Sequence, residues 1–196
     1  MISAVVLAAD RVELSGSQRL LQPARGKPLL QWVLENAVNS HLDEVICVVR
    51  DLAQIRPHIA LHHDKLFWLV DYGADRSKSH SLIAGLWAVH PASDGVMFMG
   101  GERIIDLPLI DTLIERFHKT NGWIVAADFA GSHERRGPRL FHRELFPDLI
   151  KLKGDQQESI LLDKYRDNTE SVEWNDALSS ADPKQQAPTA ASKELN

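Results

Sequence analysis

The chain has 196 residues, of which 44% are hydrophobic, so it can bury a full core, and its length favours a single domain. Its net charge of -5 argues against a general nucleic-acid binder, because such proteins are normally basic. One cysteine excludes a disulfide framework, and without a signal-like segment or an apolar stretch that could cross a bilayer we expect a cytoplasmic protein with no membrane partner.

Apolar runs and helical periods alternate along the chain. Continuous apolar runs are typical of strands buried on both faces, and apolar residues three and four apart are typical of helices packed on a sheet. In chain order we predict a strand over 4–9, a helix over 27–40, strands over 43–50 and 65–71, a helix over 79–89, a strand over 95–99, a helix over 106–120, a strand over 122–129, and shorter helices near 142–150 and 156–165, before the segment 169–174. This alternation implies a largely parallel sheet with helices on both faces.

Two local features complete this outline. Cys47 lies inside the apolar run VICVV, so we interpret it as a small core residue rather than a reactive thiol. From Ala177 the chain is rich in Ala, Ser, Pro, Gln and Lys and has almost no apolar residues. Such a segment cannot bury enough surface to offset the entropy lost on ordering. We therefore predict a folded domain over 1–176 and a disordered tail over 177–196.

The loops that follow the strands are the expected place for a ligand. In an open parallel sheet, ligands bind at the carboxyl ends of the strands, near the switch in strand order. The corresponding segments are 10–19, 72–81, 100–106 and 130–139. The first of them has neither a Gly-x-Gly-x-x-Gly fingerprint nor a Walker motif, so neither standard phosphate-binding loop applies.

Taken together, these segments resemble the MobA-like nucleotidyltransferases, and most closely the branch of molybdenum-cofactor cytidylyltransferases. The run LAAD, with Gly16 and Arg19 after it, is similar to the family's opening Leu-Ala-Ala-Gly with its later Gly and Lys. The segments 79–86 and 95–106 resemble the family's Ser-Ser-Ser-Leu-x-Ala-Gly-Leu and metal-loop motifs. The stretch 135–162 resembles its Gly-x-Pro-x-Phe and Gly-Asp segments, so the similarity extends over about 2–174.

The resemblance implies a three-layer, Rossmann-like fold of the GT-A type with a mostly parallel, mixed central sheet. It also implies transfer of a nucleotidyl group, CMP or GMP, from a nucleoside triphosphate to a phosphorylated acceptor such as molybdopterin, with Mg²⁺. Attack on the α-phosphate develops negative charge, which backbone N–H groups, a cationic side chain and a divalent metal must neutralise.

The correspondence also assigns residues to the nucleotide. It makes Arg19 the catalytic cation, and it gives as nucleotide-binding residues Ala8, Ala9, Asp10, Gly16, Arg19, Ser79 and Ser81. Arg19 stands where the family has Lys, and a solvated charge at a loop end explains it equally well. The serines precede a helix, so their hydroxyls and N–H groups are suited to a base or a phosphate, but helix capping explains them as well.

Three positions depart from the family pattern. Asp10 replaces a glycine and adds both a Cβ and a negative charge where backbone approaches phosphate, although it also suits a helix cap. Leu14 replaces an arginine, and Gly101 stands where the family has its metal-binding aspartate. The sequence therefore leaves three functions open: nucleotidyl transfer, reduced or intact; a non-catalytic relative that binds a nucleotide, a cofactor or a protein partner; and a sugar-nucleotide enzyme.

The candidate metal ligands are the acidic residues nearest the two family motifs. They are Glu102, Asp106 and Asp155. Asp106 precedes the apolar-periodic run 107–119, so we favour a cap for it, and Asp155 is equally consistent with a capping box completed by Glu158. The basic run 133–139 either faces a ligand or partner or forms a solvated loop, and we favour the loop.

Overall fold

The computed structural model describes residues 1–9, 19–73, 77–120, 122–129, 137–154 and 156–174. Its strands are β1 Ile2–Ala8, β2 Pro23–Ala24, β3 Lys27–Pro28, β4 Glu44–Val49, β5 Leu66–Val70, β6 Gly95–Gly100, β7 Ile124–Phe129, β8 Arg139–His142 and β9 Thr169–Trp174. Its helices are α1 Leu29–Asn39, α2 Leu52–Ile55, α3 Lys78–Ala88, α4 Leu107–Lys119, α5 Phe146–Leu149 and α6 Ile160–Lys164. Short 3₁₀ turns cover Arg56–His58, Arg143–Leu145 and Arg166–Asn168.

The central sheet confirms the expected α/β fold. Within the described residues, seven strands form one sheet in the order β5-β4-β1-β6-β8-β7-β9. Strand β8 runs antiparallel to β6 and β7, whereas the other neighbouring pairs are parallel. The sheet is therefore mixed and mostly parallel, as the resemblance implied. The short strands β2 and β3 pair separately as an antiparallel hairpin before α1.

The sheet separates two hydrophobic cores, which gives the three layers. Helices α1 and α4 cover the first face, called here the α1 face, with Leu30, Leu34, Leu109 and Leu113. Helices α3, α5 and α6 cover the second, the α3 face, with Leu82, Leu86, Leu149 and Leu161. Residues of β1 point alternately to the two cores, since Ala4 and Val6 belong to the first and Val5 to the second.

Gly85 is the point at which α3 approaches the sheet closely. A Cβ at this position would lie 2.4 Å from Val5 Cγ1 of β1 and 3.0 Å from Val48 Cγ2 of β4. Only a glycine fits there without moving these β-branched side chains. Helix α3 therefore packs directly over β1 and β4. Its first turn, one helical turn before Gly85, lies toward the carboxyl ends of these strands, because the helix runs antiparallel to them.

Several predicted elements are shorter than expected, and the strands β2, β3 and β8 and the short helix α2 were not predicted. The helix predicted near 142–150 is a 3₁₀ turn followed by the four residues of α5, and the one predicted near 156–165 is limited to α6. Strand β8 was not predicted because it is four residues long and begins with an arginine, without the continuous apolar run of the other buried strands. None of the described helices is long and apolar enough to cross a membrane. The predicted tail over 177–196 lies outside the described residues.

The prediction for Cys47 is confirmed, because it lies in β4 with its side chain fully buried. Burial raises the pKa of the Cys47 thiol well above its ordinary value, since the thiolate would lose its hydration. We expect no reaction of the native protein with Ellman's reagent over minutes at pH 8, and full reaction of one thiol after unfolding in guanidinium. Rapid labelling of the native protein would contradict this assignment.

Candidate functional site

The carboxyl end of β1 lies where the strand order reverses. Its neighbours are β4 on one side and β6 on the other, and open parallel sheets bind ligands at such a point. The predicted nucleotide-binding residues Ala8 and Ala9 are both buried here, Ala8 in the core of the α1 face and Ala9 in that of the α3 face. Asp10 and Gly16, which continue the predicted phosphate loop, lie outside the described residues.

Glu102 brings a carboxylate to the carboxyl end of β6, beside β1. Its Oε1 and Oε2 atoms lie 2.7 and 2.8 Å from the point that a Cβ on Gly100 would occupy. Val96 and Phe98, which share this side of the strand with Gly100, belong to the core of the α3 face. The carboxylate therefore lies on the α3 face, and the glycine leaves room for it to fold over the end of the strand.

Gly101 points to the opposite face. Its N–H donates to the Leu7 carbonyl at 2.9 Å and continues the ladder between β1 and β6. A Cβ on this residue would lie 3.1 Å from carbon atoms of Ala8, Leu20 and Leu30. All three belong to the core of the α1 face. The position that corresponds by sequence to the family's metal-binding aspartate is thus directed into an apolar core in this chain.

Asp71 follows the last residue of β5 and is buried. Its N–H donates to the Val49 carbonyl at 2.9 Å, so the backbone is still in register with β4. Its Oδ2 accepts a hydrogen bond from Ser81 Oγ at 2.6 Å, and its Oδ1 accepts one from the Gly73 N–H at 2.9 Å. His80 Nδ1 lies 2.8 Å from the same Oδ1. We call Asp71, Gly73, His80 and Ser81 the Asp71 cluster.

The His80 ring packs against the backbone of Gly73. A Cβ on Gly73 would lie 2.1 Å from Cε1 and 2.3 Å from Nε2 of the ring, so a side chain at this position would displace the imidazole. The His80 side chain is 38% exposed, whereas that of Asp71 is 2% exposed. The cluster therefore consists of a buried carboxylate with a partly exposed imidazole in contact with it.

The first turn of α3 is joined to a loop from the C-terminal part of the domain. Ser79 is buried, and its N–H donates to the Gly154 carbonyl at 3.1 Å. The hydroxyls of Ser77 and Ser79 lie 3.1 Å apart, and Ser77, at the N-cap position, makes no side-chain capping bond. The structure thus places Ser79 and Ser81 at the predicted edge of the sheet, where both already have partners within the protein.

Arg139 and Glu158 form a buried ion pair on the same side of the molecule. Arg139 Nη1 donates to Glu158 Oε1 at 2.5 Å, and the two side chains are 6% and 9% exposed. Arg139 is paired in register with Phe98 of β6, which places it beside the strand that leads to Glu102. The expectation of a solvated loop is wrong for Arg139, and positions 133–136 of that basic run lie outside the described residues. Helix α6 begins at Ile160 with Ser159 at its N-cap position, so Glu158 precedes the helix; Asp155, the other residue of the suggested capping box, lies outside the described residues. A buried charge needs a partner, and these two side chains pair with each other.

Asp106 occupies the N-cap position of α4. Its carbonyl accepts the N–H groups of Leu109 and Ile110 at 3.1 and 3.2 Å, but its side chain makes no capping hydrogen bond. Because α4 packs on the α1 face, Asp106 begins a helix on that face, whereas the carboxylate of Glu102 lies on the α3 face. The other predicted metal ligand, Asp155, lies outside the described residues.

Arg19 is exposed at the end of the first loop, where its carbonyl accepts the Gln22 N–H at 3.2 Å. Its assignment as the catalytic cation stays a prediction. Of the predicted residues that are described, the structure brings Ala9, Ser81 and Glu102 to one face at the carboxyl edge of the sheet.

Sequence reasoning missed Asp71 and the Arg139–Glu158 pair. Asp71 has a usable signal, because it is the first polar residue after an apolar run in a parallel sheet, but the predicted strand 65–71 includes it, whereas β5 ends at Val70. Arg139 and Glu158 are 19 residues apart in different elements. No local pattern predicts that these two residues meet.

Comparison with known proteins agrees with the fold. A family model for the MobA-like NTP transferase domain matches residues 4–169. No curated protein matches the chain. Among solved structures, Rv0371c from Mycobacterium tuberculosis H37Rv has a TM-score of 0.71 at 26% identity, covering 89% of this chain and 88% of that one. Its complex with manganese has a TM-score of 0.70 at 24% identity, with the same coverage.

A third solved structure shows the same fold at greater sequence distance. It is 4-diphosphocytidyl-2C-methyl-D-erythritol synthase from Anaerococcus prevotii, with a TM-score of 0.68 at 18% identity, covering 88% of this chain and 86% of that one. The family model spans nearly the whole described domain, and the sheet has the strand arrangement that the resemblance implied. The chain therefore belongs to the nucleotidyltransferase family of the MobA-like NTP transferase domain.

Proposed function

We propose that the protein transfers a nucleotidyl group from a nucleoside triphosphate to a small acceptor, and that Glu102 contributes to holding the divalent metal. The observation that carries this proposal is the position of the Glu102 carboxylate at the carboxyl end of β6, beside β1 and on the α3 face. This is the switch point of the sheet, where a nucleotide of this family is expected.

The residues present fit a magnesium ion that is shared with the substrate. Mg²⁺ is typically held by one or two carboxylates, with substrate phosphates and water completing its shell. Within the described residues no three His, Cys, Asp or Glu side chains converge, so these residues form no protein-only metal cage. Glu102 supplies one carboxylate, and Asp155 is the candidate for a second, because Asp106 begins a helix on the opposite face of the sheet. The bound metal supplies neutralisation of the triphosphate and of charge that develops at the α-phosphate.

The remaining assignments follow the family correspondence. The loop that begins at Ala8 and Ala9 and contains Asp10 and Gly16 faces the phosphates, and Arg19 supplies positive charge. Ser79 and Ser81 line the pocket from the first turn of α3. Rv0371c, which forms a complex with manganese, supports a divalent cation in this role.

For the substrate, we assign CMP or GMP as the transferred group and a phosphorylated acceptor of the molybdopterin type. The similarity of the sequence motifs to molybdenum-cofactor cytidylyltransferases supports this choice. The name of the fold neighbour 4-diphosphocytidyl-2C-methyl-D-erythritol synthase denotes a product that contains a cytidyl group, which is consistent with the choice of a cytidine nucleotide.

A second candidate function is a non-catalytic nucleotide- or cofactor-binding relative that acts as an accessory factor. A specific observation favours this function. A side chain at position 101 would point against Ala8, Leu20 and Leu30. The chain thus has no carboxylate at the family's principal metal position. The two candidates differ in whether nucleotide binding depends on a divalent cation.

The test is a thermal-shift titration with CTP, GTP and ATP, with and without Mg²⁺ or Mn²⁺. If the protein transfers a nucleotidyl group, we expect the folded state to be stabilised only when nucleotide and metal are both present. At a nucleotide concentration a hundredfold above Kd, this stabilisation should be about 2.7 kcal/mol. Glu102→Gln should remove the metal-dependent part and leave the Tm of the free protein unchanged. Glu115→Gln, a change of an exposed glutamate on α4, is the matched control.

Two results would contradict the proposal. Equal stabilisation with and without metal favours the accessory function. No stabilisation by any of the three nucleotides at millimolar concentration excludes nucleotidyl transfer and leaves an accessory protein that binds a ligand other than these nucleotides.

A further inference from the structure

We propose that Arg139 and Glu158 are positioning residues, whose buried ion pair holds the segment 152–158 at the carboxyl edge of the sheet and thereby sets the affinity for a nucleotide with its metal. The hold on the segment rests on contacts within the protein. The effect on nucleotide and metal rests on the proposed function. Neither residue is assigned to the reacting atoms.

Arg139 is a buried cation at the edge of the sheet where the site lies. It is the first residue of β8 and is in register with Phe98 of β6. Because β8 runs antiparallel to β6, the start of β8 lies toward the carboxyl end of β6. Phe141, two residues later on the same side of β8, belongs to the core of the α3 face. The Arg139 side chain therefore lies on the α3 face, on the strand next to the one that leads to Glu102.

Glu158 provides the other half of the pair, in the segment before α6. Its Oε1 accepts a hydrogen bond from Arg139 Nη1 at 2.5 Å, and its carbonyl accepts the Leu161 N–H at 3.1 Å. Leu161 is in α6 and is buried in the core of the α3 face. Glu158 thus joins the segment to α6 through its backbone and to β8 through its side chain. Hydrogen bonds between ionised groups are directional and stronger than neutral ones, so this contact fixes a position as well as neutralising a charge.

Different contacts hold the opposite end of the segment. Leu152 is buried in the same core, and the Gly154 carbonyl accepts the Ser79 N–H at 3.1 Å. The backbone of Gly154 has a φ of +59°, in the left-handed region that favours glycine. Lys153 and Gln156 are joined twice, because the Gln156 N–H donates to the Lys153 carbonyl and the Lys153 N–H donates to Gln156 Oε1. The segment is therefore attached to the first turn of α3 at one end and to β8 at the other.

This attachment connects the ion pair to the proposed metal site. The segment joins α3 to β8 on the face where the Glu102 carboxylate also lies. By sequence it carries Asp155, the candidate for the second carboxylate. Mg²⁺ demands near-ideal octahedral geometry, and a misplacement of about 1 Å in a site can cost about a hundredfold. Loss of the Arg139–Glu158 contact should therefore weaken the binding of nucleotide with metal even in a protein that still folds.

The first experiment separates positioning from stability with the double variant Arg139→Met and Glu158→Leu. An apolar pair of similar size fills the same space and keeps most of the stability, but it has no directional bond. Calorimetric titration gives the Kd of CTP and of GTP, each with Mn²⁺ and with EDTA. With Mn²⁺ we expect the Kd to rise about ten- to hundredfold in the double variant, and with EDTA to stay within about twofold. Glu115→Gln, the exposed control, should bind like the unaltered protein.

A single variant keeps this test decisive if the double variant does not fold. Glu158→Gln has the same shape and retains one oxygen that can accept from Arg139, but it lacks the charge. Because a neutral acceptor is weaker than an ionised one, we expect about a fivefold rise in the Kd measured with Mn²⁺. An unchanged Kd in this variant would contradict the proposal.

The second experiment needs no nucleotide and follows hydrogen exchange of the Ser79 N–H by NMR in the free protein. The N–H groups of a first helical turn have no acceptor within the helix, so protection of this one reports the contact with Gly154. We expect exchange about tenfold faster in the double variant, because the segment is no longer held at Glu158. The amide of Val5, in the central strand β1, is the reference for global stability.

The outcomes separate the positioning role from the proposed function. A double variant that regains both stability and the original Kd with Mn²⁺ would show a merely structural pair and overturn the proposal. An equal loss with Mn²⁺ and with EDTA would also overturn it, since the effect would not involve the metal. If no nucleotide binds the unaltered protein, the proposed function fails, and the exchange of Ser79 alone decides whether the pair holds the segment. Unchanged protection of Ser79 in the double variant would overturn that hold.

Discussion

Gly101→Asp is expected to destabilise the protein by about 4 kcal/mol or more, although it restores the residue found at this position in the family. A Cβ on residue 101 would be 3.1 Å from carbon atoms of three apolar side chains, closer than ordinary contact. Overpacking of this kind is typically destabilising by about 1–3 kcal/mol. A buried carboxylate without a partner adds several kcal/mol through lost hydration. Urea unfolding followed by circular dichroism measures the loss.

Gly101→Ala is the matched control, because it adds the Cβ without the charge. We expect it to be destabilising by about 1 kcal/mol, since the neighbouring side chains need to move only by tenths of an ångström. The difference between the two variants then isolates the carboxylate. If Gly101→Asp is as stable as the unaltered protein and binds Mg²⁺ more tightly, the residue faces the site, and our description of its direction is wrong.

Glu158→Leu is expected to be destabilising by about 3–5 kcal/mol, because it leaves the Arg139 guanidinium buried without its counter-charge. The two side chains are 6% and 9% exposed, so little water can replace the lost partner. A leucine of similar volume keeps the space filled, which makes the charge rather than a cavity the cause. The measurement is again the free energy of unfolding from urea titration.

Two controls test this explanation. The double variant Arg139→Met with Glu158→Leu should recover most of the loss, because a buried ion pair and an apolar pair of similar size are often equal in stability. Glu115→Gln breaks the Lys119–Glu115 pair, which has 72% and 60% exposed side chains, and should change stability by less than about 0.5 kcal/mol. A double variant as unstable as Glu158→Leu would show that packing, not charge, holds this region together.

The residues that meet at the carboxyl edge of the sheet could largely be predicted from the order of the strands, but the direction of individual side chains could not. Glu102 was a candidate because it is adjacent to the family's metal position, and the structure places its carboxylate over Gly100 on the α3 face. Gly101 was identified as a departure from the pattern. The register of β6 on β1 decides that a side chain at position 101 would point against apolar residues, and the sequence does not reveal this register.

Local sequence patterns also could not predict which residues the polar side chains bind. Ser81 was chosen for its place at a helix start, but its hydroxyl is bound by Asp71, ten residues earlier. His80 stands at the second serine of the family motif that the segment 79–86 resembles. Its contact with Asp71 exists only because the first turn of α3 lies beside the end of β5.

By itself the sequence determined the order of the longer strands and helices, the class of fold and the family. The spacing of apolar residues indicates which segments are buried on one or both faces, and the motifs occur in a fixed order. The tertiary structure alone decided which carboxylates lie at the carboxyl edge of the sheet, which polar groups are already paired, and that β8 enters the sheet between β6 and β7. The physical reason is that hydrogen bonds and ion pairs join atoms from distant segments. Their geometry exists only once the sheet has fixed the register of those segments.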